Sequence, residues 1–290
     1  MTNANFRRIR NVLAALAVTT LIAACSPESE TASTPSASGA SSCSAESLQT
    51  LTTGKLTVAT GEPAYYPWVI DDAPESGEGF EAAVAYAVAQ QLGFAKEDVV
   101  WVRTTFDGAV TPGAKTFDFN LQQFSITEER KAAVDFSSPY YNAPQAVVTY
   151  KGSAIEGKTT IAELKGAKLG VAVATTSLDY VKDQIGVEPQ VFNDNAAAVT
   201  ALINGQIDGI VLDLPSAFYV SAVQIEDGNG LILGQLPSTG EGDNFGLLLA
   251  KDSPITSCVS QAVDAIKADG SLDAITATWL GTDAGAPVLK

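Results

Sequence analysis

Arg130 follows Ser125 by five residues and Thr127 by three, in the run Ser125-Ile126-Thr127-Glu128-Glu129-Arg130. A threonine followed by two acids is a helix start: a hydroxyl cap, then carboxylates at the positive end of the helix dipole. Arg130 then falls in the first helical turn, close to the Ser125 hydroxyl. A guanidinium beside a hydroxyl and free backbone N–H groups is a seat for a carboxylate. The same arginine could instead pair with Glu128 or Glu129 on a solvated face, where an ion pair is worth little. Upstream, Phe119, Leu121 and Gln123 alternate with polar neighbours, the pattern of a strand leaving a sheet. The stretch 118–130 is thus a strand, a polar exit and a helix start.

Other chemistry is narrowly bounded. The 290 residues include no histidine, which excludes Ser-His-Asp triads and most zinc sites and leaves a nucleophilic cysteine without its usual base. No cofactor is expected. A net charge of −16 argues against nucleic acid, which needs lysine and arginine gathered on one face. Tyr65, Tyr66 and Trp68 crowd the loop after an alternating, β-branched segment at 55–60. They form either a lid over core or an apolar ligand surface at a strand end. Thr175-Thr176-Ser177 is a hydroxyl cap for a following helix, and Asp213 closes an apolar strand at 207–213.

These groups need a scaffold, and the periodicity supplies one. Apolar residues at Phe80, Val84, Ala87, Val88 and Leu92 mark an amphipathic helix over 79–92, ended by Gly93. Further strands are expected at 99–102, 118–123 and 146–150, with a hinge or linker at 151–153. A second block follows, with strands at 169–174, 190–192, 207–213 and 231–236 and helices at 178–185, 195–204 and from Pro215. After a second link at 240–244 come a strand at 245–250 and helices at 254–268 and 271–280. Strands alternating with helices mean an α/β architecture with mixed or parallel sheets. Two such blocks joined by two links leave a cleft, and ligands of such sheets sit at the carboxyl ends of strands.

The N-terminus is an export segment. Arg7, Arg8 and Arg10 precede an apolar run at 12–24 that is too short for an ordinary membrane span. It ends Leu21-Ile22-Ala23-Ala24-Cys25, which resembles a bacterial lipobox and implies cleavage after residue 24 and lipid on Cys25. Residues 26–42 are rich in Ser, Thr, Ala and Pro, with too little apolar side chain to bury a core, so a tether over 25–46 is expected. With Cys25 lipidated and the protein outside the cytoplasm, Cys43 and Cys258 remain, an even pair that favours a Cys43–Cys258 disulfide over two unpaired thiols.

One ordered set of segments resembles a known family: Lys55-Leu56-Thr57-Val58-Ala59, Gly79-Phe80, Phe106-Asp107-Gly108, the 125–130 run, Asp135-Phe136-Ser137-Ser138-Pro139-Tyr140-Tyr141, Leu164-Lys165-Gly166 and Ala268-Asp269-Gly270-Ser271-Leu272. Over residues 54–282 the chain resembles the family 3 extracellular solute-binding proteins, the polar amino acid receptors of bacterial ABC importers. That resemblance implies a two-lobed periplasmic-binding-protein-like fold of type II, with the ligand in the interlobe cleft. It divides the chain into lobe 1 at 47–149 and 245–290 and lobe 2 at 150–244. Arg130 would hold the ligand α-carboxylate, helped by Ser125 and Thr176, and Asp213 would receive the α-ammonium with Gln123 nearby. Tyr65 and Phe106 would sandwich the ligand side chain, and Glu62 would meet a cationic one. Ala174 stands where the family usually has glycine, and Gln122 and Gln123 replace smaller residues. The implied protein is a monomeric, lipid-anchored amino acid receptor on the outer face of the cell membrane, working with a permease and an ATPase. Polar or cationic ligands are favoured. The alternatives are a ligand sensor or a cyclohexadienyl-dehydratase-like enzyme on the same fold.

Overall fold

Leu56–Gly61, a run of apolar and β-branched residues, is buried along its whole length and forms the first strand, β1. The computed structural model describes residues 43–238, 244–281 and 286–290. The export segment, Cys25, most of the tether and part of the second link lie outside the described residues. After β1 come helix α1 (Phe80–Gln91), β2 (Val99–Thr104), α2 (Phe106–Val110), β3 (Phe119–Asn120), α3 (Glu128–Ala133), β4 (Val134–Phe136), β5 (Tyr141–Asn142) and β6 (Gln145–Tyr150). Then follow β7 (Leu169–Ala172), α4 (Thr176–Tyr180), β8 (Gln190–Phe192), α5 (Asn195–Ile203), β9 (Gly209–Asp213), α6 (Leu214–Tyr219) and β10 (Gly230–Gln235). The last elements are β11 (Asn244–Phe245), β12 (Leu248–Ala250), α7 (Thr256–Ala268) and α8 (Ser271–Trp279).

Two five-stranded mixed sheets result, ordered β2-β1-β3-β12-β4 and β10-β6-β9-β7-β8. In the first, β1 runs parallel to β2 and β3, while β12 is antiparallel to β3 and β4. In the second, β7 runs parallel to β8 and β9, while β6 is antiparallel to β9 and β10. A two-stranded ribbon of β5 and β11 carries the chain between them. The carboxyl ends of β1, β2 and β3 lead to Glu62, Phe106 and Gln123; those of β7 and β9 lead to Thr176 and Asp213. Candidate residues from distant parts of the chain therefore converge for the reason anticipated from strand polarity.

Burial departs from the sequence pattern in places. α1 was expected to show one apolar stripe, yet Phe80, Glu81, Ala82, Val84, Ala85, Val88 and Ala89 are all buried. Helices α7 and α8 pack on α1, so it has core on several sides. β3 is two residues long, not six: it ends at Asn120, and the chain turns at Gln123 with φ 54°. The expected strand at 245–250 splits at Gly246: β11 joins the hinge ribbon and β12 joins the first sheet. The expected helix at 178–185 is α4 running on into a π-helical turn at Val181–Ile185.

The lobe boundaries also move. β6 belongs to the second sheet, between β10 and β9, so the first crossing lies near 142–145 and not at 150. The terminal residues 286–290 were expected in lobe 1. Instead Gln235 donates its N–H to Pro287 O at 2.7 Å, and Leu289 donates back to Gln235 O at 2.8 Å. Leu289 is buried in the second lobe's core. An apolar alternation reveals a strand but not which sheet will pair with it. Cys43 and Cys258 form a disulfide with Cα atoms 5.3 Å apart, fastening the start of the described chain to α7 within the first lobe.

Candidate functional site

A cleft of about 410 Å³ opens between the sheets and is lined by Glu62, Tyr65, Phe106, Gln123, Ser125, Arg130, Thr176 and Asp213, together with other residues. Every ligand residue expected from the sequence faces this one space. That volume suits a small molecule.

Arg130 is placed by α3. The Thr127 hydroxyl caps the helix by accepting the Arg130 N–H at 3.1 Å, which puts the side chain at the cleft. Its Nη1 donates to the Ser125 carbonyl at 2.7 Å, and its Nη2 crosses to the Ala174 carbonyl at 2.9 Å. The contact with Ser125 is thus to the main chain, not to the hydroxyl. Neither Glu128 nor Glu129 forms an ion pair with Arg130; Glu128 pairs with Lys131. The Phe106 ring lies under the guanidinium, with Cζ 5.3 Å from its centroid. Burial lowers the Arg130 pKa to about 10, against the opposing pull of Asp179, Asp213 and Glu129. The group stays charged at neutral pH. A guanidinium has five donors in a fixed fork, so two main-chain bonds leave capacity for an anion.

The second lobe supplies the facing groups. Thr175 is the helix cap, accepting the Leu178 N–H at 3.2 Å, and this leaves Thr176 for the cleft. The Thr176 hydroxyl lies 3.3 Å from the Ser125 hydroxyl across the gap and accepts from Gln145 Nε2 at 2.9 Å. Gln145 carried no signal in the sequence, lying just before the strand expected at 146–150; in the structure it is the first residue of β6. Ala174, which precedes the cap, has φ 59°, a left-handed conformation that costs a non-glycine residue about 1–2 kcal/mol. Its carbonyl is the one that meets Arg130, so the strained residue sits at the site itself. Asp213 is the last residue of β9, opposite Gln145 of β6, and stands directly before α6.

Tyr65 reaches across as well. Its hydroxyl accepts the Ala196 N–H at 3.4 Å and bonds to Asp194, and burial, then the Asp194 charge, push its pKa up to about 12. Asp107 and Asp194 are cleft acids that the sequence analysis did not single out. Asp194 precedes the expected helix at 195–204, and in the structure it caps α5 by accepting the Ala197 N–H at 2.8 Å. Gln123 lines the cleft, but its side-chain amide donates to Glu81, so it is not simply a group projecting at a ligand. Among the described residues, no cluster of three or more His, Cys, Asp or Glu side chains could hold a metal.

The lobes touch beyond the cleft. Trp68 Nε1 donates to Ser216 Oγ at 2.8 Å, and the Tyr66 and Tyr219 rings stand 4.5 Å apart. The two lobes are thus in contact, with polar groups of both lining the cleft between them.

Comparison with known proteins agrees with this geometry. The chain matches the sequence profile of the bacterial extracellular solute-binding proteins, family 3, over residues 56–282. It is 29% identical over 253 residues to an L-arginine-binding protein of Pseudomonas aeruginosa, covering 82% of this chain and 92% of that protein. It is 30% identical over 226 residues to a probable histidine-binding protein of Campylobacter jejuni, covering 77% and 84%. Among solved structures, an ancestral arginine-binding protein bound to arginine superposes with a TM-score of 0.66 at 31% identity, covering 79% of this chain and 99% of that one. The chain belongs to the bacterial extracellular solute-binding proteins, family 3.

Proposed function

We propose that the cleft captures a free amino acid with a cationic side chain and delivers it to the permease and ATPase of an ABC importer. The observation that carries this reading is the pair Arg130 and Asp213, a cation and an anion from different lobes lining one cleft. A zwitterion satisfies both at once, so it binds the closed state better than the open one. In this reading Arg130 holds the α-carboxylate with Thr176 and Ser125, Asp213 takes the α-ammonium, and Phe106 and Tyr65 flank the side chain. Glu62, Asp107 and Asp194 add three more carboxylates to the same walls. That surplus of negative charge favours a basic side chain over a neutral or acidic one. The named relatives that bind arginine or histidine point the same way.

The lipobox-like Leu21-Ile22-Ala23-Ala24-Cys25 supports anchoring by lipid on Cys25 at the outer face of the cell membrane, with the receptor acting as a monomer. The role is binding and not catalysis: incubation with prephenate or arogenate should yield no aromatic product.

Calorimetry against the twenty amino acids tests the reading. Arginine or another basic amino acid should bind most tightly. Arg130→Ala should cost about 2–5 kcal/mol, because it leaves the ligand carboxylate buried without its partner. Unchanged affinity in that variant overturns the assignment.

A further inference from the structure

Behind the cleft floor lies a buried acid that the binding reading does not use. Glu81 is the second residue of α1 and only 1% exposed. Its Oε1 accepts the Gln123 backbone N–H at 2.8 Å and also the Tyr140 hydroxyl, while its Oε2 accepts from Gln123 Nε2. Both partners matter to the receptor. Gln123 lines the cleft at the left-handed turn that precedes Ser125. Tyr140 leads directly into the hinge ribbon, donating its N–H to Phe245 O at 2.8 Å. One carboxyl therefore ties the cleft floor, the first helix and the hinge together.

We propose that Glu81 is a positioning residue for ligand capture: as a carboxylate it orients the Gln123 amide so that an oxygen faces the ligand's ammonium group, and its protonation weakens binding. This rests on the amino acid reading above. An ionised carboxylate only accepts hydrogen bonds, so Gln123 must turn its NH₂ towards Glu81 and its amide oxygen the other way. A protonated Glu81 is a donor at one oxygen, and with the proton on Oε2, which faces the Gln123 side chain, the Gln123 amide oxygen becomes the acceptor. The amide then reverses and presents N–H donors to the cleft, where an ammonium needs an acceptor. Ligand entry thus favours the ionised acid, and proton uptake favours ligand release.

Burial raises the Glu81 pKa to about 7, outweighing the hydrogen bonds from Tyr140 and Gln123 that pull it down. The facing groups are few. The Tyr140 phenol titrates well above its usual range, through burial and then the Glu81 charge, and Asp213 acts on Tyr140 from the second lobe. Among the described residues, no lysine or arginine forms an ion pair with Glu81. The sequence has no histidine to titrate in the same range. Asp179 is also raised by burial, but its charge partners include Arg130 and not Glu81, and a Glu81 variant separates the two. The effect on folding has the opposite sign to the effect on binding. A carboxyl whose folded pKa is raised from 4.5 to about 7 contributes stability below 4.5 and loses it as pH rises through 7. Ligand-free stability should therefore fall across the interval in which affinity rises.

The test is calorimetry with L-arginine at pH 6, 7 and 8 on the wild type and Glu81→Gln. Wild-type affinity should rise about three- to tenfold from pH 6 to 8, the scale one linked proton allows. Glu81→Gln should bind more weakly at pH 8 and lose the pH dependence. A folded Glu81→Gln protein with the wild-type profile overturns the proposal. If that variant does not fold, Tyr140→Phe decides: removing a donor to the carboxylate should move the profile to higher pH, and an unmoved profile overturns the proposal. If L-arginine does not bind the wild type, the functional reading is what has failed. In that case the Gln123 side-chain amide ¹⁵N resonance of the free protein still decides; it should titrate with a midpoint near 7, and a flat response overturns the inference.

Discussion

Asp194 does two jobs that a substitution can separate. It caps α5 by accepting the Ala197 N–H, and its charge faces the cleft beside Tyr65. Asparagine caps a helix about as well as aspartate, whereas alanine loses about 1 kcal/mol. Asp194→Asn should therefore leave the melting temperature nearly unchanged. If the acid surplus selects a basic side chain, the same variant should bind L-arginine roughly tenfold more weakly, the scale of one hydrogen bond to a charged group, about 1.5 kcal/mol. L-Glutamine affinity should hold steady. Calorimetry with both amino acids beside a thermal melt checks this, and an Asp194→Asn protein that keeps its full arginine affinity removes Asp194 from the specificity argument.

At the scale of elements, closure has its own contacts outside the ligand space. The Trp68 indole belongs to the first lobe's core, packed against Phe80, Tyr141 and Phe245, and gives its N–H to Ser216 on α6 of the second lobe. When the lobes part, that N–H can meet water; when they close on Ser216→Ala, it is buried without a partner. An unsatisfied buried donor costs about 1–3 kcal/mol, and the cost falls on the closed state alone. Ser216→Ala should weaken every ligand by a similar factor without changing their order, because the fraction of binding-competent closed protein multiplies all affinities alike. Small-angle scattering of the ligand-bound variant should show a larger open population, and a change in ligand order would contradict this account. These elements also mark what the sequence could reveal. The positions of Arg130, Thr176 and Asp213 at element ends were legible locally, from a cap or an acid closing an apolar strand, whereas their ligand roles came only with the family resemblance. The membership of β6 in the second sheet was not legible, since alternation is blind to the partner strand. Glu81 was hidden for a related reason: an acid in the first turn of a helix reads as dipole complementation at a surface. Only its tertiary contacts with Gln123 and Tyr140 reveal that it is buried.

Across the whole molecule, among the described residues, successive elements change lobe three times: at β6, at β11, and at the terminal segment after α8 that pairs with Gln235. The Cys43–Cys258 disulfide lies apart from all three, joining two pieces of the first lobe that are 215 residues apart in sequence. Cross-linking so long a loop restricts the unfolded chain strongly, and removal of a native disulfide costs about 2–5 kcal/mol. The bond does not span the cleft, and neither cysteine lines it. The β5–β11 ribbon joins the lobes while the disulfide stays within one of them, so a closure about that ribbon would leave the bond undisturbed. A Cys43→Ser/Cys258→Ser protein should therefore melt several degrees lower, yet bind its amino acid with wild-type affinity at temperatures where both are folded. Thermal melts paired with calorimetry well below the transition test this. A loss of affinity comparable to the loss of stability would mean that the first lobe needs the bond to hold Arg130 in place, since α7 packs against β4, which follows directly from the helix that carries Arg130.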